Sequence, residues 1–276
     1  MSQGSSYIHG HHSSVLRSHS WRTALNSCPY LIPHITPNAR ILDVGCGPGT
    51  ITCDFGRLAP QGSTIGVDAS ADVLEGARKF ASENGVQNVS FMVGDIYNLQ
   101  FPDGSFDIVH VHQVLQHIVD PVRGLRELRR VAKCGGIVAC REVDYAATTW
   151  YPDIPGMTEW LDLYERIARE QGGDPNIGRR LQAVAREAGF QRSDVVTSVG
   201  TWCFSTPEEL EFWCGMWADR VLNSDFRKNA IDGGHASEAE LERSAACWKA
   251  FAKEEDGWYT IIHGQIICHV RKNPPW

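Results

Sequence analysis

The sequence predicts an α/β fold, a parallel sheet wrapped by helices, on three observations. Through roughly the first two thirds of the chain, short apolar runs rich in Val and Ile alternate with longer amphipathic stretches. That is the pattern of strands buried on both faces and the helices that cover them. The connections between runs are short, as crossover units require. The first run leads straight into a glycine-rich turn and then a helix, the place where open sheets of this kind bind ligands.

Strands are expected over 40–44, 64–68, 89–93, 106–112 and 136–143, each short and rich in β-branched residues. Helical patterns fall between them at 50–58, 71–83 and 121–133. The last has Asp120 placed to cap it and Pro121 at the first helical position, where a missing N–H costs nothing. After Trp150 the texture changes: helices around 157–170 and 178–188 lead to a strand at 195–204, and a helical block over 207–255 precedes a final strand at 258–271. That block is longer than a crossover needs, so it reads as an insertion covering the ligand edge of the sheet. We expect one domain over 1–276, with an N-terminal lid at 1–30, a cofactor-binding core at 38–145, and cap helices with the last strands at 146–276.

With 276 residues, 42% hydrophobic and 21% charged, the chain can bury a sizeable core. Its net charge of -7 is spread along the sequence and leaves no basic footprint for nucleic acid, so a small-molecule partner is expected. The nine cysteines are scattered without a CxxC pair, which reads as reduced, mostly buried thiols, and no metal is expected. There is neither a signal-type apolar region at the N-terminus nor a run of roughly 20 apolar residues, so a cytoplasmic location without a membrane span is expected.

The strongest motif is Ile41-Leu42-Asp43-Val44-Gly45-Cys46-Gly47-Pro48-Gly49-Thr50. Gly45 and Gly47 let the backbone approach a ligand closely, and the helix that follows turns free N–H groups toward a carboxylate. A glycine turn of this spelling also serves dinucleotides and plain structure. Two further acids sharpen it. Asp68 ends the second strand 19 positions after Gly49, where a carboxylate can accept both hydroxyls of a ribose. Asp95 follows the third strand in Gly94-Asp95-Ile96, where it can reach an adenine amino group while Ile96 packs on the ring. One such acid alone reads as a turn cap; Asp43, Asp68 and Asp95 at three successive strand ends point to a nucleoside.

ILDVGCGPGT, GVD at 66–68, GDIYNLQF at 94–101, SFDIVHVHQVLQHIVDP at 105–121 and KCGG at 133–136 together resemble the ubiquinone/menaquinone-biosynthesis type of class I methyltransferase, over about residues 30–145. The resemblance implies a Rossmann-like, seven-stranded, mostly parallel sheet whose last strand is antiparallel, with helices on both faces and a helical cap. It implies transfer of a methyl group from S-adenosyl-L-methionine, leaving S-adenosyl-L-homocysteine. Carried over position by position, it places Asp43, Gly45 and Gly47 along the methionine moiety, Asp68 and Ala69 at the ribose, Asp95 and Ile96 at the adenine, and His112 and Gln113 beside the sulfonium. Cys134 departs from the family's usual proline, in a turn. HHSSVLRSHSWRTA at 11–24 and the Trp258-Tyr259 strand are also similar to fungal thiol methyltransferases that cap the dithiols of secondary metabolites, which ranks a thiol first among acceptors.

Residues 7–23 are dense in His, Arg and aromatics for a segment ahead of the first strand. In related methyltransferases a helix here folds over the cofactor. Arg22 is expected to pair with the methionine carboxylate, and Tyr7 or His11 and His12 to close the acceptor site, against the plain alternatives of a frayed terminus or a tag-like, metal-binding His cluster. Tyr145 and Trp150 are expected in an apolar acceptor pocket, in a chain whose nine tryptophans concentrate after residue 140. Methyl transfer from a sulfonium is an in-line displacement that mostly needs its partners close, aligned and dry. Where the acceptor must lose a proton, His112, His117 and Asp144 are the candidate bases, and a thiol near its own pKa needs little help. Carbon or oxygen methylation of a quinol or phenol, and a non-catalytic cofactor-binding role, stay open. The GxGxG spacing and the missing catalytic pair speak against an NAD-dependent oxidoreductase.

Overall fold

The structure, a computed structural model, describes residues 13–271. Two short helices lead in, α1 (Ser13–Ser20) and α2 (Ala24–Ser27), before β1 (Arg40–Val44), α3 (Thr50–Leu58), β2 (Ser63–Asp68), α4 (Ala71–Glu83) and β3 (Val89–Val93). Next come β4 (Phe106–His112), α5 (Pro121–Val131), β5 (Ala132–Tyr151), α6 (Met157–Glu170), α7 (Leu181–Glu187) and β6 (Val195–Phe204). The helices α8 (Pro207–Asn223), α9 (Asp225–Asp232) and α10 (Glu238–Phe251) then precede β7 (Trp258–His269).

The seven strands form one sheet in the order β3-β2-β1-β4-β5-β7-β6. β1 to β5 pair in parallel, while β7 runs antiparallel to both β5 and β6. This is the Rossmann-like, seven-stranded sheet with its last strand reversed. The strand order changes direction between β1 and β4, so a crevice opens at the carboxyl ends of those two strands. Asp120 caps α5 as its position foretold, accepting from Arg123 N at 2.9 Å.

Several boundaries differ from expectation. α5 ends at Val131 instead of Lys133, and the KCGG segment is an irregularity inside β5, where the β4–β5 register shifts between Phe106 and Ile108 and Gly135 sits at φ +86. β5 runs to Tyr151 because β7 keeps pairing with it past a second shift, Thr149 facing Thr260 and Tyr151 facing Trp258. The expected helix over 178–188 opens as a 3-10 turn at Ile177–Arg180. The block over 207–255 breaks twice. Ser224 Oγ accepts from Phe226 N at 3.2 Å to start α9, and after Gly233-Gly234 a capping box between Ser237 and Glu240 starts α10.

Two apolar bodies position the site. One packs Leu125, Leu128, Leu181 and Val184 of α5 and α7 against β1, β4 and β5. The other lies beyond the carboxyl ends, where α6, α8 and α10 meet around Trp160, Tyr164, Trp217, Trp248 and Tyr259. Trp160 stands edge-on to Trp217 at 4.6 Å and to Trp248 at 4.7 Å, the favoured arrangement for large rings in contact. Among the described residues, no helix is long and apolar enough to cross a membrane.

Candidate active site

After Val44 the chain turns through Gly45 at φ +72 and Gly47 at φ +52. A Cβ on Gly45 would stand 2.3 Å from Val114 Cγ2, so that position admits only glycine. At Gly47 the nearest atom would be His19 Nδ1, 3.9 Å away, which leaves an open cradle beside α1. Gly45 N and Cys46 N both donate to Val67 O, at 2.7 and 3.1 Å, lashing the turn to β2. Asp68 completes the tie: Oδ2 accepts from Gly47 N at 2.9 Å and Oδ1 from Ser70 N at 3.0 Å.

Asp43 lies under the cradle. It is 3% exposed, with Oδ1 2.8 Å from His110 Nδ1 and Oδ2 accepting from Thr52 Oγ1 at 2.6 Å, so both carboxylate oxygens are committed within the protein beneath the turn. Ala69 is exposed beyond β2, and Asp95 is exposed beyond β3, where Oδ1 accepts from Tyr97 N at 2.8 Å beside the buried Ile96. The tips of β1, β2 and β3 thus offer, side by side, an open glycine cradle, a partly exposed carboxylate, and a carboxylate next to an apolar side chain. An amino-acid arm, a ribose and a base, the three parts of S-adenosylmethionine, fit that row.

At the tip of β4, His112 is buried, its ring 5.7 Å from Trp202 and 6.4 Å from His263. Burial first, then Arg22 and Arg141, hold its pKa well below the usual imidazole range. Gln113 follows at φ +55, the one non-glycine residue with positive φ among the described residues. Three contacts keep it there: its N donates to Arg141 O at 2.8 Å, its Oε1 accepts from Arg22 Nη2 at 2.8 Å, and its Nε2 meets His263 Nε2 at 2.9 Å. A 3-10 turn at Leu115–His117 comes next. Its N–H groups are collected by the wholly buried Glu142, whose Oε1 accepts from Val114 N and Leu115 N at 2.9 Å and whose Oε2 accepts from Gln116 N at 3.2 Å. Burial outweighs these bonds and pushes the Glu142 carboxyl up to about 7.

Against this turn lies a narrow cleft with a cavity volume of about 20 Å³. Gln113, Gln116 and His117 form one wall and Ser18, His19 and Arg22 of the N-terminal segment another; Val143 and Tyr145 of β5, Trp202 of β6, Ile261 of β7, and Trp213, Trp217 and Arg220 of α8 close the rest. Arg220 is buried and donates from Nη2 to Ser18 Oγ at 2.8 Å. His117 Nε2 accepts from Gln116 Nε2 at 2.9 Å, and burial with Arg22 and Arg220 drives its pKa down to about 3. The end of α2 is anchored to the sheet, Arg141 Nη1 donating to Ser27 O at 2.7 Å and Trp202 Nε1 to Asn26 O at 2.8 Å.

Of the residues expected at the acceptor, Tyr145 lines the pocket and Trp150 does not: it stacks on Tyr259 at 6.3 Å within the cap core. Asp144 also turns away, because side chains alternate along β5 and its carboxylate is held by Arg179 at 2.5 and 2.6 Å, a commitment that removes it as a base. Tyr7, His11 and His12 lie outside the described residues. Arg22 stands in the pocket wall, hinged on Gln113. Arg220, Arg141, Glu142, His263 and His19 were not foreseen. Arg220 carried a signal: three residues after Trp217 and seven after Trp213, it falls on the apolar stripe of its helix. No cluster of three or more His, Cys, Asp or Glu suited to a metal occurs among the described residues.

A methyltransferase domain model matches residues 35–189. An uncharacterized methyltransferase of Schizosaccharomyces pombe is 36% identical over 268 residues, 95% of each chain. A protein of Aspergillus luteorubrus named probable methyltransferase ltbC is 32% identical over 283 residues, 96% of this chain and 98% of its own. A demethylmenaquinone methyltransferase of Symbiobacterium thermophilum is 29% identical over 181 residues, 58% of this chain and 72% of its own. Among solved structures, the YcgJ protein of Bacillus subtilis has a TM-score of 0.57 at 22% identity, covering 88% of this chain and 97% of that one. Haemonchus contortus phosphoethanolamine N-methyltransferase 2, in complex with phosphomonomethylethanolamine and S-adenosylhomocysteine, has a TM-score of 0.53 at 18% identity, covering 88% of this chain and 52% of that one. These two likenesses show the shared fold.

Proposed function

This chain belongs to the methyltransferase domain family and is an enzyme that uses S-adenosyl-L-methionine, and on that premise we propose that it methylates a small acceptor, favoured as a thiol of a dithiol metabolite, in the tryptophan-lined pocket. The observation that carries this reading is the junction of that pocket with the glycine cradle. His19 borders both, and Gln113 fixes the strand tip between them. When bound, the cofactor supplies an electrophilic methyl group on a sulfonium. Gly45 and Gly47 take the methionine arm, Asp68 and Ala69 the ribose, and Asp95 with Ile96 the adenine. His112 and Gln113 lie beside the reacting sulfur, with Asp43 setting the turn from below. Arg22, bonded to Gln113, borders both cofactor and acceptor.

The pocket's aromatic walls exclude water and align the acceptor, which is most of what an in-line transfer asks of a protein. Histidines held neutral and weakly basic suit a thiol, which ionises close to neutrality without strong base help. Carbon methylation of a quinol is the second reading, favoured by the resemblance to a demethylmenaquinone methyltransferase. The test offers methyl-labelled cofactor with a panel of dithiols, phenols and quinols and follows mass. Gain of one or two methyl groups on dithiol sulfur is expected. Label appearing only on quinol carbon transfers the conclusion to the second reading, and label that never leaves the cofactor despite measurable adenosylhomocysteine binding leaves a non-catalytic binder.

A further inference from the structure

A second groove, with a cavity volume of about 360 Å³, lies apart from the cleft at the β4 tip and shares no described lining residue with it. Three guanidiniums enter it from three elements: Arg179 from the 3-10 turn at Ile177–Arg180, Arg186 from α7, and Arg192 from a further 3-10 turn at Arg192–Asp194. Phe190 and Val195 add apolar lining, and the described lining contains no Asp or Glu.

Among the described residues, only one of the three has an acidic partner. Arg179 gives Nε and Nη2 to Asp144, which leaves Nη1 uncommitted. The other acids close along the chain are taken: Asp174 by Arg180 and Asp194 by Arg271, each at 2.7 Å, and Glu165 by Arg169 at 2.8 Å. Glu187, next to Arg186 in sequence, is not part of the lining. Arg192 is oriented by neutral groups instead. Its Nη1 donates to Val195 O at 3.4 Å, and with the Gln182 amide oxygen turned toward it, Nη1 and Nη2 donate there at 2.9 and 2.8 Å. Neutral oxygens fix a guanidinium without cancelling its charge. Two uncompensated cations thus share one concavity, in a chain whose formal net charge is -7.

We propose that this groove binds a small dianion of the phosphate-monoester type, at a site separate from methyl transfer and independent of that reading. The planar N–H fork of arginine matches phosphate oxygens two at a time, and two unpaired forks balance two negative charges. Because all three heads line one cavity, they converge on a single compact group and not on two separated carboxylates. Arg179 Nη1 can donate to it without adding net charge, since Asp144 already offsets that cation. Phe190 and Val195 give an organic substituent an apolar contact that a bare ion leaves unused. All three arginines are exposed, so water and salt screen them and hold the affinity to a Kd of about 0.1–1 mM.

The test titrates phenyl phosphate, inorganic phosphate and succinate against the full chain at low salt, by calorimetry. Phenyl phosphate is expected to bind with a Kd at or below about 1 mM. Arg186→Gln and Arg192→Gln are each expected to weaken it at least about fivefold, and the double variant to remove it. Arg243→Gln deletes the same formal charge on an exposed arginine of α10 and is expected to leave the affinity within about twofold. Adenosylhomocysteine affinity, expected unchanged in every variant, reports that the fold is intact. Phenyl phosphate bound more tightly than inorganic phosphate identifies a phosphorylated organic ligand, equal affinity identifies inorganic phosphate, and either upholds the site. No binding at about 10 mM probe, an equal loss in Arg243→Gln, binding that survives the double variant, or succinate bound as tightly as phenyl phosphate overturns the proposal. Absence of adenosylhomocysteine binding by the wild-type chain overturns the methyltransferase reading alone.

Discussion

His110 Nδ1 stands 2.8 Å from Asp43 Oδ1 with both side chains buried beneath the glycine turn, and Cys28 Sγ is 3.3 Å from the other ring nitrogen. With Thr52 donating to the second Asp43 oxygen, this buried row links the chain just after α2 to β4, β1 and α3. Burial alone disfavours the imidazolium, but Cys28 and Asp43 outweigh it and push the His110 pKa up to about 10.

That relationship sets a pH window for stability. The folded pKa of His110 exceeds the unfolded value of about 6.5, so its stabilisation is complete below about pH 6.5 and is lost as pH rises through about 10. His117 works on the other side: with a folded pKa of about 3, the unfolded chain takes up its proton first, and stability falls as pH drops from about 6.5 toward 3. Thermal melts should therefore peak near pH ~6.5. His110→Gln should cost about 3 kcal/mol at neutral pH, by analogy with breaking a buried ion pair, and flatten the alkaline limb. His117→Gln should flatten the acid limb. An alkaline limb of unchanged steepness in His110→Gln refutes the assignment.

Gly45→Ala should lose both stability and cofactor affinity. Its Cβ would overlap Val114 Cγ2 at 2.3 Å and occupy a left-handed conformation at φ +72. We expect a loss of about 2–4 kcal/mol by denaturant titration, of which only the steric part, and not the roughly 1 kcal/mol of backbone strain, returns in the Gly45→Ala, Val114→Ala double variant. Full rescue by the second substitution would show that φ imposes no demand here.

At Gln113, two stability effects should oppose each other. Gln113→Gly relieves a left-handed backbone at φ +55, worth about 0.5–1 kcal/mol, yet removes the amide that joins Arg22 to His263, whose loss costs about 1–3 kcal/mol, so stability should fall by about 1 kcal/mol. Methyl transfer should fall at least about tenfold, equivalent to about 1.4 kcal/mol of lost transition-state stabilisation. Equal activity in Gln113→Gly and wild type would reduce the side chain to a bystander.

The core of the fold was legible because its determinants are local. Val and Ile runs, Asp120-Pro121 and the glycine turn each act within a few residues, and β1, β3, β4, α3 and α4 lie where the sequence puts them. What escaped depends on partners distant in the chain. The extension of β5 to Tyr151 exists only because β7 is alongside, and Asp144 is unavailable only because Arg179, 35 residues later, claims it. Glu142 reads as one of three charges, with Arg141 and Asp144, that close an apolar run, yet it collects the three N–H groups that shape the turn after β4. For Arg220 the spacing was visible, but its neighbour Ser18 is 202 positions away.

Trp160→Ala tests the proposed division into a cofactor core at 38–145 and a cap at 146–276. Trp160 touches Trp217 and Trp248 in the cap cluster, and the cluster around β1, β4, α5 and α7 does not include it. Removing so large a buried ring should cost about 3–5 kcal/mol, paid mostly by the cap. Because Trp217 also walls the acceptor pocket, the acceptor KM should rise about tenfold, while adenosylhomocysteine affinity changes by less than about twofold, since distant sites are nearly independent. Parallel losses of cofactor and acceptor binding would mean that cap and core act as one cooperative body, and the proposed boundary near residue 145 would have no energetic content.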